Sequence, residues 1–218
     1  MLFSEGENNL KSVFELPTRL ETERLYLRPY RAGDGSMYLA VGLRNRAHLA
    51  RHEAENPLTT INDGVEAENL IQGLVSEWEK GASFFWGVFD RQTDDFVAQI
   101  YIGLTDRTLP AYELGYIADC DHEGRGYVTE AAKAALAFVF EHLGAHRVSL
   151  HCDETNVRSA RVAERCGFTL EGRIREDKRA PDGGFTDTLC YGLLRREYVR
   201  ARAPLTSPTS RNSPPPAL

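Results

Sequence analysis

Between Ala111 and Cys152 the chain reads as strand, glycine turn, helix and strand, and this order constrains the fold more than any other stretch. The run AYELGYIA (Ala111 to Ala118) has the length and apolar content of a buried strand. Asp121-His122-Glu123-Gly124-Arg125-Gly126-Tyr127 then turns the chain, and from Gly126 to Leu143 the residues Val128, Ala131, Ala132, Ala135, Leu136, Val139 and Leu143 share one helical face. RVSLHC (Arg147 to Cys152) is a strand again. A helix of this length between two strands is a crossover, and a crossover makes them parallel. Ligands of such sheets gather beyond the carboxyl ends of the strands. The stretch Asp119 to Tyr127 is therefore expected in the site.

The rest of the chain surrounds this unit. Arg24 to Tyr30 alternates as a half-buried strand, with Pro29 at its end. Met37, Leu39, Ala40, Leu43, Ala47 and Ala50 follow helical spacing, and Gly42 to Asn45 suggests a break into two short helices. Ala67, Leu70, Ile71, Leu74, Val75 and Trp78 follow the helical period without error. Ser83 to Asp90 and Phe96 to Leu104 form a hairpin about Thr93 to Asp95. Beyond Cys152 come a helix from Val157 to Cys166 and two strands, about Phe168 to Arg175 and Thr186 to Leu194. No repeat is visible. The order predicts an α/β (α+β) domain, a mixed sheet with helices on both faces.

Composition excludes several classes of function. A chain of 218 residues with 42% hydrophobic residues suits one domain with a packed interior and is too short for two full domains if its ends are tails. The formal charge of −6, with no block of Lys or Arg, argues against nucleic-acid binding. Cys120, Cys152, Cys166 and Cys190 lack the close spacing of metal ligands, so they read as structural thiols and no metal is expected. The opening residues lack the order of a signal peptide and no long apolar run suits a membrane, so a cytoplasmic protein with no membrane partner is expected. Pro204 to Leu218 holds half of the ten prolines and reads as a disordered tail.

Two glycines one residue apart let successive N–H groups converge on an anion, and the following helix start adds its own. A phosphate-bearing ligand is expected there. No Lys-Ser or Lys-Thr follows Gly126, and the third glycine of a dinucleotide fingerprint is missing, so nucleoside triphosphates and nicotinamide cofactors recede. Asn156 and Ser159 then begin the next helix in T-N-V-R-S, which Gly167 ends.

With these motifs the sequence resembles the GNAT superfamily of acyl-CoA-dependent N-acetyltransferases, in its RimJ/RimL-like branch. LETERLYLRPY, YELGYIAD, GRGYVTEA, NVRSARVAERCGF and LEGRIRE carry the resemblance in the family's order, over about residues 20 to 195. The resemblance implies a mostly antiparallel seven-stranded sheet with a splayed parallel pair. It also implies a catalytic domain over 20–202, between a partly flexible arm (1–19) and the tail (203–218). Acetyl-CoA is the implied co-substrate, its pantetheine along the backbone of Tyr116, Ile117, Ala118 and Asp119. Its pyrophosphate would rest on Glu123, Gly124, Arg125, Gly126, Tyr127 and Val128, with Asn156 and Ser159 near the thiol. Two positions depart from the family. Asp121 stands where many members have Gln or Arg, and Ala163 stands where many place the tyrosine that protonates the leaving thiolate.

Acetyl transfer to an amine needs a neutral amine, a polarised carbonyl and a partner for the thiolate. With Ala163 inert, Ser159 is the candidate thiolate partner, against a plain capping role at the helix start. Glu113 is the candidate base, against a cross-strand salt bridge. Glu176 and Asp177 are alternatives, although Lys178 holds the position that aligns most closely. His122, His151, Tyr127 and Tyr191 read as structural. At pH 7.5 about a third of an α-amino group is neutral but only about a thousandth of a lysine amine. The absence of a secure base thus favours a peptide or protein N-terminus, recognised by Ser36 to Glu53, Asn56 to Thr60 and Arg179 to Phe185. A polyamine or aminoglycoside acceptor and a non-catalytic acyl-CoA sensor are the alternatives. The protein is expected as a monomer or homodimer.

Overall fold

The protein is described by a computed structural model that covers residues 15–53, 56–180 and 182–203. The expected C-terminal tail from 204 onward and residues 1–14 of the expected arm lie outside the described residues. Eight strands form one sheet: β1 (Leu20–Glu21), β2 (Leu25–Pro29), β3 (Ser83–Asp90), β4 (Phe96–Asp106), β5 (Ala111–Ala118), β6 (Arg147–Asp153), β7 (Thr169–Arg179) and β8 (Phe185–Leu194). Their spatial order is β1-β2-β3-β4-β5-β6-β8-β7. The helices are α1 (Gly35–Leu49), α2 (Gly64–Glu79), α3 (Tyr127–Ala137), α4 (Val157–Arg165) and α5 (Arg195–Arg202). The strand added to the expected seven is the two-residue β1, too short to leave a periodic signal.

Every neighbouring pair is antiparallel except β5 and β6, as the crossover required. These two pair only at Ala111 with Arg147, Tyr112 with Val148 and Glu113 with Ser149. Beyond Glu113 they part. β6 continues to pair with β8 through Asp153, and β5 with β4 through Ala118, so the opening lies between two otherwise intact half-sheets.

Strand alternation sends side chains to two cores. Tyr112, Leu114, Val148, Leu150 and Cys152 join Trp86, Phe138 and the alanines of α3 on one face; Ile117, Phe89 and Phe96 meet Tyr38, Leu58 and Ile71 from α1, α2 and their connection on the other. The face bearing α1 and α2 departs from expectation, because α1 is one continuous helix of 15 residues and not two. Gly42 does not break it. A Cβ there would lie 2.7 Å from the Leu58 carbonyl oxygen and 2.9 Å from Ile61 Cδ1, so the glycine lets the next segment pack directly on the helix backbone. α5 is not among the elements expected from the sequence, because RREYVRAR holds too few apolar residues to mark a helical face. It is fixed by the ring of Tyr198 stacked 4.6 Å from Phe140 and by Arg195 donating 2.6 Å to the Phe140 carbonyl.

Candidate active site

The glycine turn leaves β5 through a buried carboxylate. Asp119 Oδ2 accepts from Arg44 Nε and from Asn45 Nδ2, each at 2.9 Å, while Oδ1 accepts from the Asp121 N–H at 3.1 Å and meets His122 Nδ1 at 3.0 Å. Asn45 is itself buried and takes the Cys120 N–H at 2.8 Å. Burial pushes the Asp119 carboxyl up, but the hydrogen bonds from Asn45, Arg44 and His122 outweigh it, and the group is held below the usual carboxylate range. α1 and β5 thereby fix the start of the loop together.

Past this anchor Gly124 and Gly126 both take left-handed backbone, at φ +75° and +77°, and Gly126 caps α3. These conformations suit glycine and orient the N–H groups at the helix start toward a common point. Arg24 braces the turn from β2's edge, donating to the Arg125 carbonyl at 3.0 Å and to Glu130 Oε2 at 2.7 Å, with its guanidinium 4.8 Å from the Tyr127 ring centroid. Tyr127 also donates to Asp90 at 2.7 Å, in line with a structural role. Glu123 would repel a phosphate if left alone. Arg158 of α4 donates to it, and His48 Nε2 lies 3.3 Å away. Val128 packs against the core.

Along β5 the four residues expected beside pantetheine divide in two. The Asp119 N–H donates to the Val97 carbonyl at 3.0 Å, and its own carbonyl accepts from His122. By the alternation of an antiparallel ladder, Ile117 also spends its peptide groups on β4, whereas Tyr116 and Ala118 turn theirs toward β6, past its last pair. Across the opening, Asn156 caps α4 by accepting the Ser159 N–H at 3.1 Å. The Tyr116 hydroxyl donates to the Ser159 carbonyl at 2.9 Å and stands 3.1 Å from Ser159 Oγ. Burial raises the Tyr116 phenol well above its ordinary value. Ala163 is fully buried in the core beside α3, and its methyl group has no proton to give a departing thiolate.

A cleft of about 1870 Å³ opens on the α1/α2 face and reaches Tyr116 and Ser159 through the gap. Its walls include the segment just after α1 (Arg51, His52, Glu53), Asn56 and Pro57, and the end of β7 with Asp177, Lys178 and Arg179. They also include α2, through Leu70, Gly73 and Glu77, which had been read only as a core helix. Glu113 does not line this cleft but His151 does, and Glu113 Oε1 lies 2.8 Å from His151 Nδ1. Glu176 gives its N–H to Asp187 at 2.9 Å. Tyr191 is buried in the core.

Asp119, Cys120 and Asp121 bring possible metal-binding atoms within 4.8 Å of one another. Arg44 already bonds Asp119 and lies 3.5 Å from Asp121, so a guanidinium occupies the place a cation would take. All four cysteines are free thiols. Among the described residues no helix is long and apolar enough to cross a membrane.

Comparison with known proteins agrees with this geometry. The family model described as "Acetyltransferase (GNAT) domain" matches residues 24–169. An uncharacterized N-acetyltransferase of Bacillus subtilis, YnaD, is 32% identical over 66% of this chain and 83% of its own. The [ribosomal protein uS5]-alanine N-acetyltransferase of Escherichia coli is 26% identical over 60% of this chain and 68% of its own. Among solved structures, a RimL ribosomal L7/L12 alpha-N-protein acetyltransferase in complex with coenzyme A superposes with a TM-score of 0.73 at 20% identity, covering 82% of this chain and 97% of that one. The splayed strands, the left-handed glycine turn and the matched sequence agree: this chain belongs to the GNAT acetyltransferase family and is an acetyl-CoA-dependent N-acetyltransferase.

Proposed function

We propose that the acceptor is the α-amino group of a peptide or protein N-terminus. The observation that carries this reading is the breadth of the cleft, about 1870 Å³. Pockets for small molecules commonly hold roughly 300–1,000 Å³, so this one has room for a length of polypeptide beside the acetyl end of the donor. The Escherichia coli relative named for a ribosomal-protein alanine lends support. In this reading Tyr116 and Ala118 hold pantetheine through their peptide groups. Glu123, Gly124, Arg125, Gly126, Tyr127 and Val128 present backbone to the pyrophosphate. Acetyl-CoA supplies an activated acyl group as its thioester. Ser159, with Tyr116 beside it, offers hydroxyl groups to the departing sulfur, and Asn156 holds the first turn of α4 in place. Much of the rate comes from bringing amine and carbonyl together across the gap.

The test compares three acceptors: a peptide with a free N-terminal alanine or serine, the same peptide blocked at its N-terminus but containing lysine, and a polyamine. Near pH 7 the unblocked peptide should be acetylated fastest, and its advantage should shrink toward about pH 9 as lysine deprotonates. Faster acetylation of the polyamine or the blocked peptide near pH 7 would refute the N-terminal reading. Acetyl-CoA binding without transfer to any of them would favour a sensor.

A further inference from the structure

The ion pair between Glu113 and His151 stands where the central strands part. Glu113 is the last residue of β5 paired with β6, opposite Ser149, and His151 lies two residues further along β6. Their neighbours Tyr112, Leu114, Leu150 and Cys152 enter the core beneath α3 and α4. Alternation therefore sends Glu113 and His151 to the opposite face, where the acceptor cleft opens. An ionised carboxylate can only accept, so its 2.8 Å contact assigns the hydrogen to His151 Nδ1 and leaves Nε2, across the ring, with its lone pair. His151 lines the cleft that also reaches Tyr116 and Ser159. With side chains 40% and 35% exposed, the pair contributes little to stability, at most about 1 kcal/mol. Its placement at the mouth of the gap has a chemical use.

We infer that His151 is the base that takes the proton from the acceptor amine, and that Glu113 is the positioning residue that fixes its tautomer. This rests on the amine-acetylating reading above and reassigns the role first given to Glu113. The nitrogen lone pair forms the new N–C bond to the acetyl carbon while the C–S bond breaks. The proton shed by nitrogen passes to His151 Nε2. Sulfur leaves with the C–S electron pair and takes one proton from the hydroxyl of Ser159 or Tyr116, and the proton held on His151 returns through water to that hydroxyl, so the transfer ends with no net proton gained or lost. The charged and titratable groups around His151 are Glu113 and Asp153 in the sheet, and Cys190, its register partner on β8. Lys178 of β7, Glu77 of α2 and His52 after α1 border the same cleft.

The experiment uses the full chain, acetyl-CoA and a peptide with a free N-terminal alanine. His151→Gln should lower kcat by about 100-fold or more, leave KM for acetyl-CoA within about twofold, and reduce the acid limb of the pH–rate profile to the one set by the acceptor amine alone. Glu113→Gln keeps an acceptor oxygen for Nδ1 and should lose no more than about tenfold, with Glu113→Ala losing more. Nitrogen NMR of the protein without ligands should show the neutral His151 ring protonated at Nδ1, and the Nε2–H form should gain in Glu113→Ala. Unchanged kcat in His151→Gln, an acid limb identical to that of the native chain, or an Nε2–H ring in the native chain would overturn the assignment. So would a Glu113→Gln variant as inactive as His151→Gln, which would make Glu113 the base. These outcomes leave the acetyltransferase reading standing. A native chain that binds acetyl-CoA but acetylates no amine refutes that reading, and the base with it.

Discussion

Replacing Asp119 with asparagine tests how the glycine turn is held. Asparagine matches the carboxylate in shape but exchanges one acceptor oxygen for a donor NH2. The site offers donors on both sides: Arg44 and Asn45 at Oδ2 and the Asp121 N–H at Oδ1, where His122 Nδ1 also lies 3.0 Å away. Whichever way the amide turns, at least one donor loses its acceptor and faces another N–H: the Asp121 N–H on one side, or Arg44 and Asn45 on the other. Each unsatisfied group costs about 1–3 kcal/mol when buried. The share belonging to Arg44 is discounted, because its side chain is 37% exposed and can turn to water. The expected loss is about 1–3 kcal/mol, which at a slope of about 2–3 kcal/mol/M lowers the urea midpoint by about 0.3–1.5 M. The charge adds a pH signature. Because the folded carboxyl is held below its ordinary value, its contribution is complete above the unfolded pKa of about 3.9 and is lost as pH falls through the folded value. The difference between native and Asp119→Asn should therefore be constant from neutrality to about pH 5 and shrink below about pH 4. Urea unfolding across that range is the assay. A variant within about 0.5 kcal/mol of the native chain, or a difference that ignores acid, would refute the argument.

Gly126→Val would force a β-branched residue into left-handed backbone at φ +77°, and the helix start should move away from the phosphates. Acetyl-CoA affinity of the folded variant should fall at least about tenfold, or about 1.4 kcal/mol, by calorimetry; unchanged affinity would displace the pyrophosphate from this loop. Ser159→Ala should lower kcat more than acetyl-CoA affinity, because a bond to the departing sulfur matters chiefly in the transition state. Equal turnover would reduce Ser159 to its place in the helix.

The parts that were legible in the sequence depend on neighbours along the chain. β5 runs from Ala111 to Ala118 as read, since Pro110 and the turn beyond Asp119 punctuate it. The six apolar positions of α2 and the glycine turn were equally plain. What stayed hidden depends on register and burial. The opposition of Glu113 and Ser149 sets Glu113 beside His151, but pairing between strands separated by a whole helix leaves no local mark. Gly42 looks the same whether it breaks a helix or admits the Leu58 carbonyl. Asp119 read as a strand-end peptide because four partners from α1 and the turn converge on its side chain only after folding. Tyr116 was assigned a backbone role, and its reach to Ser159 needed the width of the opening.

Beyond Glu113, β5 and β6 are joined by side chains and not by ladder rungs. Leu114 and Tyr112 on one strand and Val148, Leu150 and Cys152 on the other share a single oily mass with Ala131 and Ala135 of α3 and Ala163 of α4. Such contact is non-directional and varies gently with small displacements, unlike a hydrogen bond, which weakens steeply off its axis. The two half-sheets can thus change their separation slightly, as a soft hinge, without breaking any bond that holds either half together.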